Sequence, residues 1–147
     1  MLDNPHHKFS TIELDPNPLS TPCRIQTNWH VITGTPCSGK TTLIDQLTDK
    51  GFRTIAETAR QCFEKEMARG RTTDEIHENY PALQHCIDHM QLGVEHGLRA
   101  TDVAFLDRAL PDSITFCRVF RLNPNEILSE CFHHRYASIF VLDRFPV

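Results

Sequence analysis

Apolar positions change their spacing along this chain, and the changes mark out alternating strands and helices. Trp29-His30-Val31-Ile32-Thr33 is a short β-prone run that predicts a strand near 29–34. Beyond it Leu43, Ile44 and Leu47 fall at helical spacing. They predict a helix over about 39–49 that stops at Asp49-Lys50-Gly51, where glycine supplies the left-handed residue past a helix end. Phe52-Arg53-Thr54-Ile55 predicts a second strand, and 57–69 a helix ended by Gly70. Thr72-Thr73-Asp74-Glu75 reads as a new helix start, and Tyr80 to Leu98 as a longer helix. Val103-Ala104-Phe105-Leu106-Asp107 is an unbroken apolar run ending in a carboxylate, as buried parallel strands are written. Pro111 opens a helix through Arg121, and Ser138-Ile139-Phe140-Val141-Leu142-Asp143 is a further apolar strand. Residues 1–27 carry Pro5, Pro16, Pro18 and Pro22 with no sustained period. They are expected as a flexible leader before a single domain over 28–147.

Strands alternating with helices imply an α/β fold: a mainly parallel sheet between helical layers, a three-layer α/β/α sandwich. In such sheets ligands sit beyond the C-terminal ends of the strands. Gly34, Glu57, Asp107 and Asp143 all fall at or just past predicted strand ends, so they are expected on one rim.

The first strand-to-helix junction carries the clearest chemistry. Gly34-Thr35-Pro36-Cys37-Ser38-Gly39-Lys40-Thr41 spells G-x-x-x-x-G-K-T, a phosphate-binding loop in the strand–loop–helix context that it needs. Gly34 and Gly39 permit backbone angles that turn successive N–H groups onto phosphates, and the following helix adds its positive end. The stretch Gly34, Thr35, Pro36, Cys37, Ser38, Gly39, Lys40, Thr41 and Thr42 is therefore assigned to a nucleoside triphosphate, ATP or GTP. Lys40 reaches the β- and γ-phosphates, and the Thr41 hydroxyl is placed to ligate Mg²⁺. Asp107, at the rim, is the second candidate for Mg²⁺, through water.

Arg108 beside it has the planar fork that suits an anionic or sugar-bearing acceptor. Glu57 and Arg60 stand three apart, share one helix face and complete an acceptor pocket with Arg108, although the spacing fits a solvated ion pair equally well. A water-activating Glu after the Asp, an N-K-x-D string and a D-x-x-G string do not occur. Acceptor phosphorylation therefore outranks hydrolysis, with Lys40, Asp107 and Arg108 as the catalytic set.

Composition narrows the partners. The chain is 39% hydrophobic and 23% charged with a net charge of −4, which gives no electrostatic reason to expect nucleic acid or an anionic membrane. No apolar run approaches a membrane span, and the N-terminus lacks the apolar stretch of a secretory signal. The six cysteines show no C-x-x-C pair, and Cys37, inside the loop, is open to an oxidation that would block nucleotide. Reduced thiols and a cytoplasmic location are expected. His85, Cys86, His89 and His96 suggest zinc, but four closed ligands are not assembled, so an exposed helix face is expected. His133-His134 is expected in a solvated connector. Asp143, a strand-terminal carboxylate, equally fits a simple turn cap.

From about residue 29 the chain resembles a family of P-loop kinase-like domains, also described as AAA-type predicted ATPases. That family groups with the kinase domain of a bifunctional nicotinamide-riboside regulator and with an insect trafficking protein that binds GTP and phosphoinositide. The resemblance rests on 34–42, Glu57-Thr58-Ala59-Arg60, Phe105-Leu106-Asp107-Arg108 with Pro111-Asp112, and Ile139-Phe140-Val141-Leu142-Asp143. The Asp-Arg pair is also similar to that of thymidylate and deoxynucleoside kinases. It implies Asp107 as base or Mg²⁺ contact and Arg108, Glu57 and Arg60 at the acceptor. It further implies an Arg-bearing lid, a helix and a last strand after Arg144-Phe145-Pro146-Val147. The domain is thus expected to be incomplete at its C-terminal edge, with weak nucleotide binding and poor turnover. Two functions follow: a kinase of a small nucleoside-like or other hydroxyl acceptor, or a nucleotide-gated module that recognises a lipid headgroup or a protein.

Overall fold

A computed structural model describes residues 12–146. In chain order the elements are α1 (Pro16–Leu19), β1 (Ile25–Gln26), β2 (Trp29–Gly34), α2 (Lys40–Asp49), β3 (Arg53–Ile55), α3 (Thr58–Ala68) and α4 (Thr73–Glu78). They continue with α5 (Tyr80–Gly97), β4 (Ala104–Asp107), α6 (Asp112–Val119), α7 (Asn125–Leu128), a 3-10 turn (Glu130–Phe132), β5 (His134–Arg135) and β6 (Ser138–Leu142). Four strands form one parallel sheet in the order β3-β4-β2-β6. The fold is the expected mixed α/β architecture, and the chain's long predicted elements fall where their apolar periods place them.

The two sheet faces divide the helices. Trp29 and Val31 of β2 and Ala104 and Leu106 of β4 point to one face, where they pack with Val94 of α5 and Leu98 just past its end. Thr54, Phe105 and His30 lie in register across β3, β4 and β2 on the opposite face. There Thr48 of α2 hydrogen-bonds Thr54 at 2.7 Å, which places α2 on that side. A second apolar cluster joins Cys62, Ile76 and Leu83 of α3, α4 and α5. The entry to α4 is secured by a capping box, in which Thr72 and Glu75 bond each other's backbone N–H. The edge strand β6 leaves Ile139, Phe140 and Val141 exposed.

Two expectations are corrected here. The segment expected as leader falls partly outside the described residues, but its later part carries α1 and β1. Asp15 caps α1 through the Asn17 N–H, and β1 pairs in parallel with β5. His134 is not solvated: it is buried within β5, with its ring 4.6 Å from that of Trp29. The Thr27 hydroxyl and N–H both donate to the Arg135 carbonyl, and Ala137 N–H donates to Trp29 O. This small ladder pins the two chain segments against the base of β2. Elements of two residues have no period to read, and tertiary pairing made them.

Burial, with the neighbouring His133 and His96, pulls the His134 pKa down from 6.5 to about 4, while Glu130 opposes the shift. The depressed value means that acid favours the unfolded chain, where the imidazole protonates freely. Stability from this group is complete above about pH 6.5 and is lost as pH falls toward 4, by about 1–3 kcal/mol. Urea midpoints should therefore drop between pH 7 and pH 5 more steeply in wild type than in His134→Phe. Equal slopes would show that His134 carries none of the acid sensitivity.

Candidate functional site

The sheet order puts the ends of β2 and β4 side by side, with Ile32 in register with Asp107. The loop after β2 is a tight cradle. Gly34 sits at φ 140 and Gly39 at φ 87, and Cys37 takes a left-handed φ of 61 between them. A Cβ on Gly34 would collide with the carbonyl oxygen of Leu142 on β6, and one on Gly39 would come within 3.2 Å of the Phe145 ring. Glycine is required at the first position by both angle and space. No side chain caps the N-terminus of α2, so its first backbone N–H groups are left for a ligand. Lys40 is buried and its ammonium donates to the carbonyls of Thr35 (2.7 Å) and Gly34 (3.2 Å), drawn over the loop it serves.

Asp107 is buried at the end of β4, and its Oδ1 has no hydrogen-bond partner. Desolvation, then the charge of Glu57, pushes its pKa up from 3.8 to about 6, while Lys40, Arg108 and Arg60 pull it down. An orphaned carboxylate oxygen of this kind fits a divalent cation held largely through water, with the Thr41 hydroxyl as the other protein candidate. Mg²⁺ normally uses one or two carboxylates, so these residues suit it without a closed protein cage. Among the described residues no group of three or more His, Cys, Asp or Glu is arranged to hold a metal, and His85 and His89 lie on exposed positions of α5.

Arg108 leaves β4 in the left-handed region, at φ 68, with its N–H on the carbonyl of Ile32 at 2.9 Å. That turn aims its guanidinium back across the rim. Nε donates to Glu57 (3.0 Å), Nη2 to the Gly34 carbonyl (3.1 Å), and Nη1 to Thr33 (3.3 Å) and Asp112 (3.4 Å). Glu57 thus pairs with Arg108, not with Arg60 three residues on. Arg60 is exposed, yet it borders the same cleft of about 380 Å³ as Glu57, Arg108 and the loop from Pro36 to Thr42. Asp143 is exposed just past β6.

The sequence assigned no role to the residues that hold this rim in place, although Asp112 stood among the motifs of the resemblance. Asp112 accepts from Thr33 at 2.6 Å and from the Ala109 N–H at 2.9 Å, as well as from Arg108. Its spacing of four from Arg108, at a helix start after Pro111, was the available signal. Behind the cleft Glu95, only 2% exposed, accepts from the Leu110 N–H (2.8 Å), Gln91 (2.9 Å) and the Tyr136 hydroxyl (2.8 Å). Burial raises its pKa, against those three hydrogen bonds and the charge of His96. Gln91 in turn accepts from Thr58, which follows Glu57. No pattern in the sequence announces such a buried network.

The arrangement is a phosphate cradle facing a carboxylate and an arginine clasp in one cleft. A family model described as an AAA domain matches residues 29–146, most of the chain. The chain belongs to that AAA domain family. It is accordingly a P-loop nucleotide-binding domain of a kind that generally binds nucleotide with Mg²⁺. No curated protein and no solved structure matches the chain. No helix among the described residues is long and apolar enough to cross a membrane.

Two substitutions test how the AAA domain's rim is built. Gly34→Ala should cost about 2–4 kcal/mol, because strain and collision act together, whereas Gly51→Ala, at φ 85 with open space around it, should cost about 1 kcal/mol. Similar urea midpoints for the two would refute the close approach of β2 and β6. Arg108→Ala should cost about 2–3 kcal/mol by leaving Glu57 and the Gly34 carbonyl without their donor, and Arg108→Lys should recover little without the planar fork. Chemical denaturation measures both, and full rescue by lysine would remove the clasp from the account.

Proposed function

We propose that this domain binds a nucleoside triphosphate with Mg²⁺ and transfers its γ-phosphoryl group to the hydroxyl of a small acceptor. The observation that carries this reading is the shared cleft: Glu57, Arg60 and Arg108 border the same space as the phosphate loop. A hydrolase needs only water there, whereas Glu57 and Arg108 also wall a second small cavity of about 60 Å³ lined by Ala59, Gln91 and Phe116. In this reading Lys40 and the first N–H groups of α2 hold the phosphates, and Thr41 and Asp107 are the residues that would hold Mg²⁺. The bound cation would neutralise phosphate charge as it shifts toward the leaving oxygens. Asp107 or Glu57 takes the acceptor proton, and Arg60, which has the more exposed guanidinium, meets the acceptor. Arg108 sets the position of Glu57. A nucleotide pool suits a cytoplasmic location.

A second reading has one supporting observation. β6 pairs with β2 out to Gly34 and Leu142, and its exposed Ile139, Phe140 and Val141 stand one strand from the phosphate loop. A nucleotide that reshapes Gly34 would be felt at that edge, as a gated module for a protein or lipid headgroup requires.

Calorimetric titration of Mg·ATP and Mg·GTP into wild type and Lys40→Ala provides the test. Saturable binding should appear in wild type and fall at least tenfold in the variant, in line with the loss of a charged phosphate contact. Release of ADP or GDP should then rise when hydroxyl-bearing nucleosides and sugars are added. Nucleotide binding with release indifferent to every acceptor would favour the gated module, and equal binding by Lys40→Ala would overturn both readings.

A further inference from the structure

We propose that Cys62 and Cys86 form a dithiol oxidation site, which a peroxide converts into a disulfide between α3 and α5. The two sulfurs lie 2.7 Å apart. A bonded pair sits at about 2.05 Å, so a shift of less than about 1 Å joins them. The two helices already pack against each other, and both cysteines belong to the cluster that includes Ile76 and Leu83. No other pair of cysteine sulfurs is in hydrogen-bonding contact among the described residues, and all six cysteines are free thiols.

The two sulfurs differ in access, and that sets the order of events. Cys62 is fully buried, and burial pushes its thiol up to about 12, so it is protonated and sheltered. Cys86 is half-buried and opens onto a cleft of about 260 Å³ bordered by Glu66, Arg69, Arg71 and His85. Salt bridges from Arg69 and Arg71 to Glu66, both at 2.8 Å, fix that wall. A small neutral oxidant such as hydrogen peroxide reaches Cys86 first. The Cys86 sulfur attacks one peroxide oxygen, the O–O bond breaks, and a sulfenic acid and one water result. The Cys62 sulfur then displaces the hydroxyl from Cys86, which leaves as a second water with the Cys62 proton. Two thiols and one peroxide give one disulfide and two waters. The new bond would fix α3, which begins directly after Glu57, on α5, whose Gln91 already receives the Thr58 hydroxyl. This inference does not rest on the proposed phosphoryl transfer.

The purified chain is treated with hydrogen peroxide at low micromolar protein, alkylated with N-ethylmaleimide, and digested with trypsin. Cleavage isolates Cys62 in peptide 61–65 and Cys86 in peptide 72–99. The expected result is these two peptides linked, 2 Da lighter than their sum, and separated by a phosphine reductant. The oxidised wild type should melt roughly 5–10 °C higher than the reduced form, while Cys86→Ala shows no such rise. The exposed Cys23 and Cys37 serve as internal controls for oxidant strength. If those controls are oxidised while Cys62 and Cys86 are both recovered alkylated, the proposal is overturned. Recovery of Cys86 as a sulfinic acid, or of either cysteine linked to a different one, overturns it equally.

Discussion

The guanidinium of Arg108 is the contact on which the candidate site depends. It binds the last carbonyl of β2, the carboxylate before α3 and the carboxylate that opens α6, and those groups come from three separate stretches of chain. Hydrogen bonds to charged partners are stronger than neutral ones, and a planar fork satisfies several at once with little further loss of freedom. The arginine can reach all three only because its own backbone turns left-handed as it leaves β4, a conformation costing on the order of 1 kcal/mol. The Arg108 N–H to the Ile32 carbonyl helps to hold that turn. The strain is stored where β2 and β4 end together, and it positions both walls of the cleft.

Behind this clasp the rim is braced by a second, neutral-to-anionic network. Glu95 joins the loop after Arg108 to Tyr136, and Gln91 joins Glu95 to Thr58 beside Glu57. A buried carboxylate is tolerated when its oxygens are satisfied, and here three donors do so. The contrast with Asp107 is instructive. Both are buried carboxylates, but one is fully partnered and the other keeps an oxygen unmatched. By that criterion Glu95 is a brace, and Asp107 is the carboxylate that still has an oxygen to satisfy, as the proposed Mg²⁺ role requires.

Much of this was legible in the sequence, for reasons that differ by element. β2, α2, β4 and β6 carry apolar periods long enough to be read, and the glycine loop announces itself because its chemistry demands fixed residue types at fixed spacing. Gly34, Glu57, Asp107 and Asp143 could be expected on one rim by a topological rule alone, since parallel strands deliver their C-terminal ends together. What escaped were matters of pairing. The partner of Glu57 was sought within its own helix, at Arg60, and is found 51 residues away at Arg108. β1, β5 and the burial of His134 depend on a two-residue ladder between distant segments. Glu95 and Gln91 look like ordinary polar positions of an amphipathic helix until the fold buries them.

The charges around the cleft argue for the order in which a ligand settles. Glu57, Asp107 and Asp112 stand against Lys40, Arg60 and Arg108, and Arg108 spends most of its donors on Glu57, Asp112 and Gly34. Lys40 donates to loop carbonyls at 2.7 and 3.2 Å, contacts that a phosphate oxygen replaces with stronger, charge-assisted ones. Once Lys40 turns to an anion, its attraction for Asp107 weakens, and that carboxylate gains proton affinity unless another cation takes the place of the lysine. Under the proposed reading, nucleotide and divalent ion would therefore be coupled through Lys40 and Asp107. An anion alone loosens the cradle's charge balance, and an anion arriving with its counter-ion restores it.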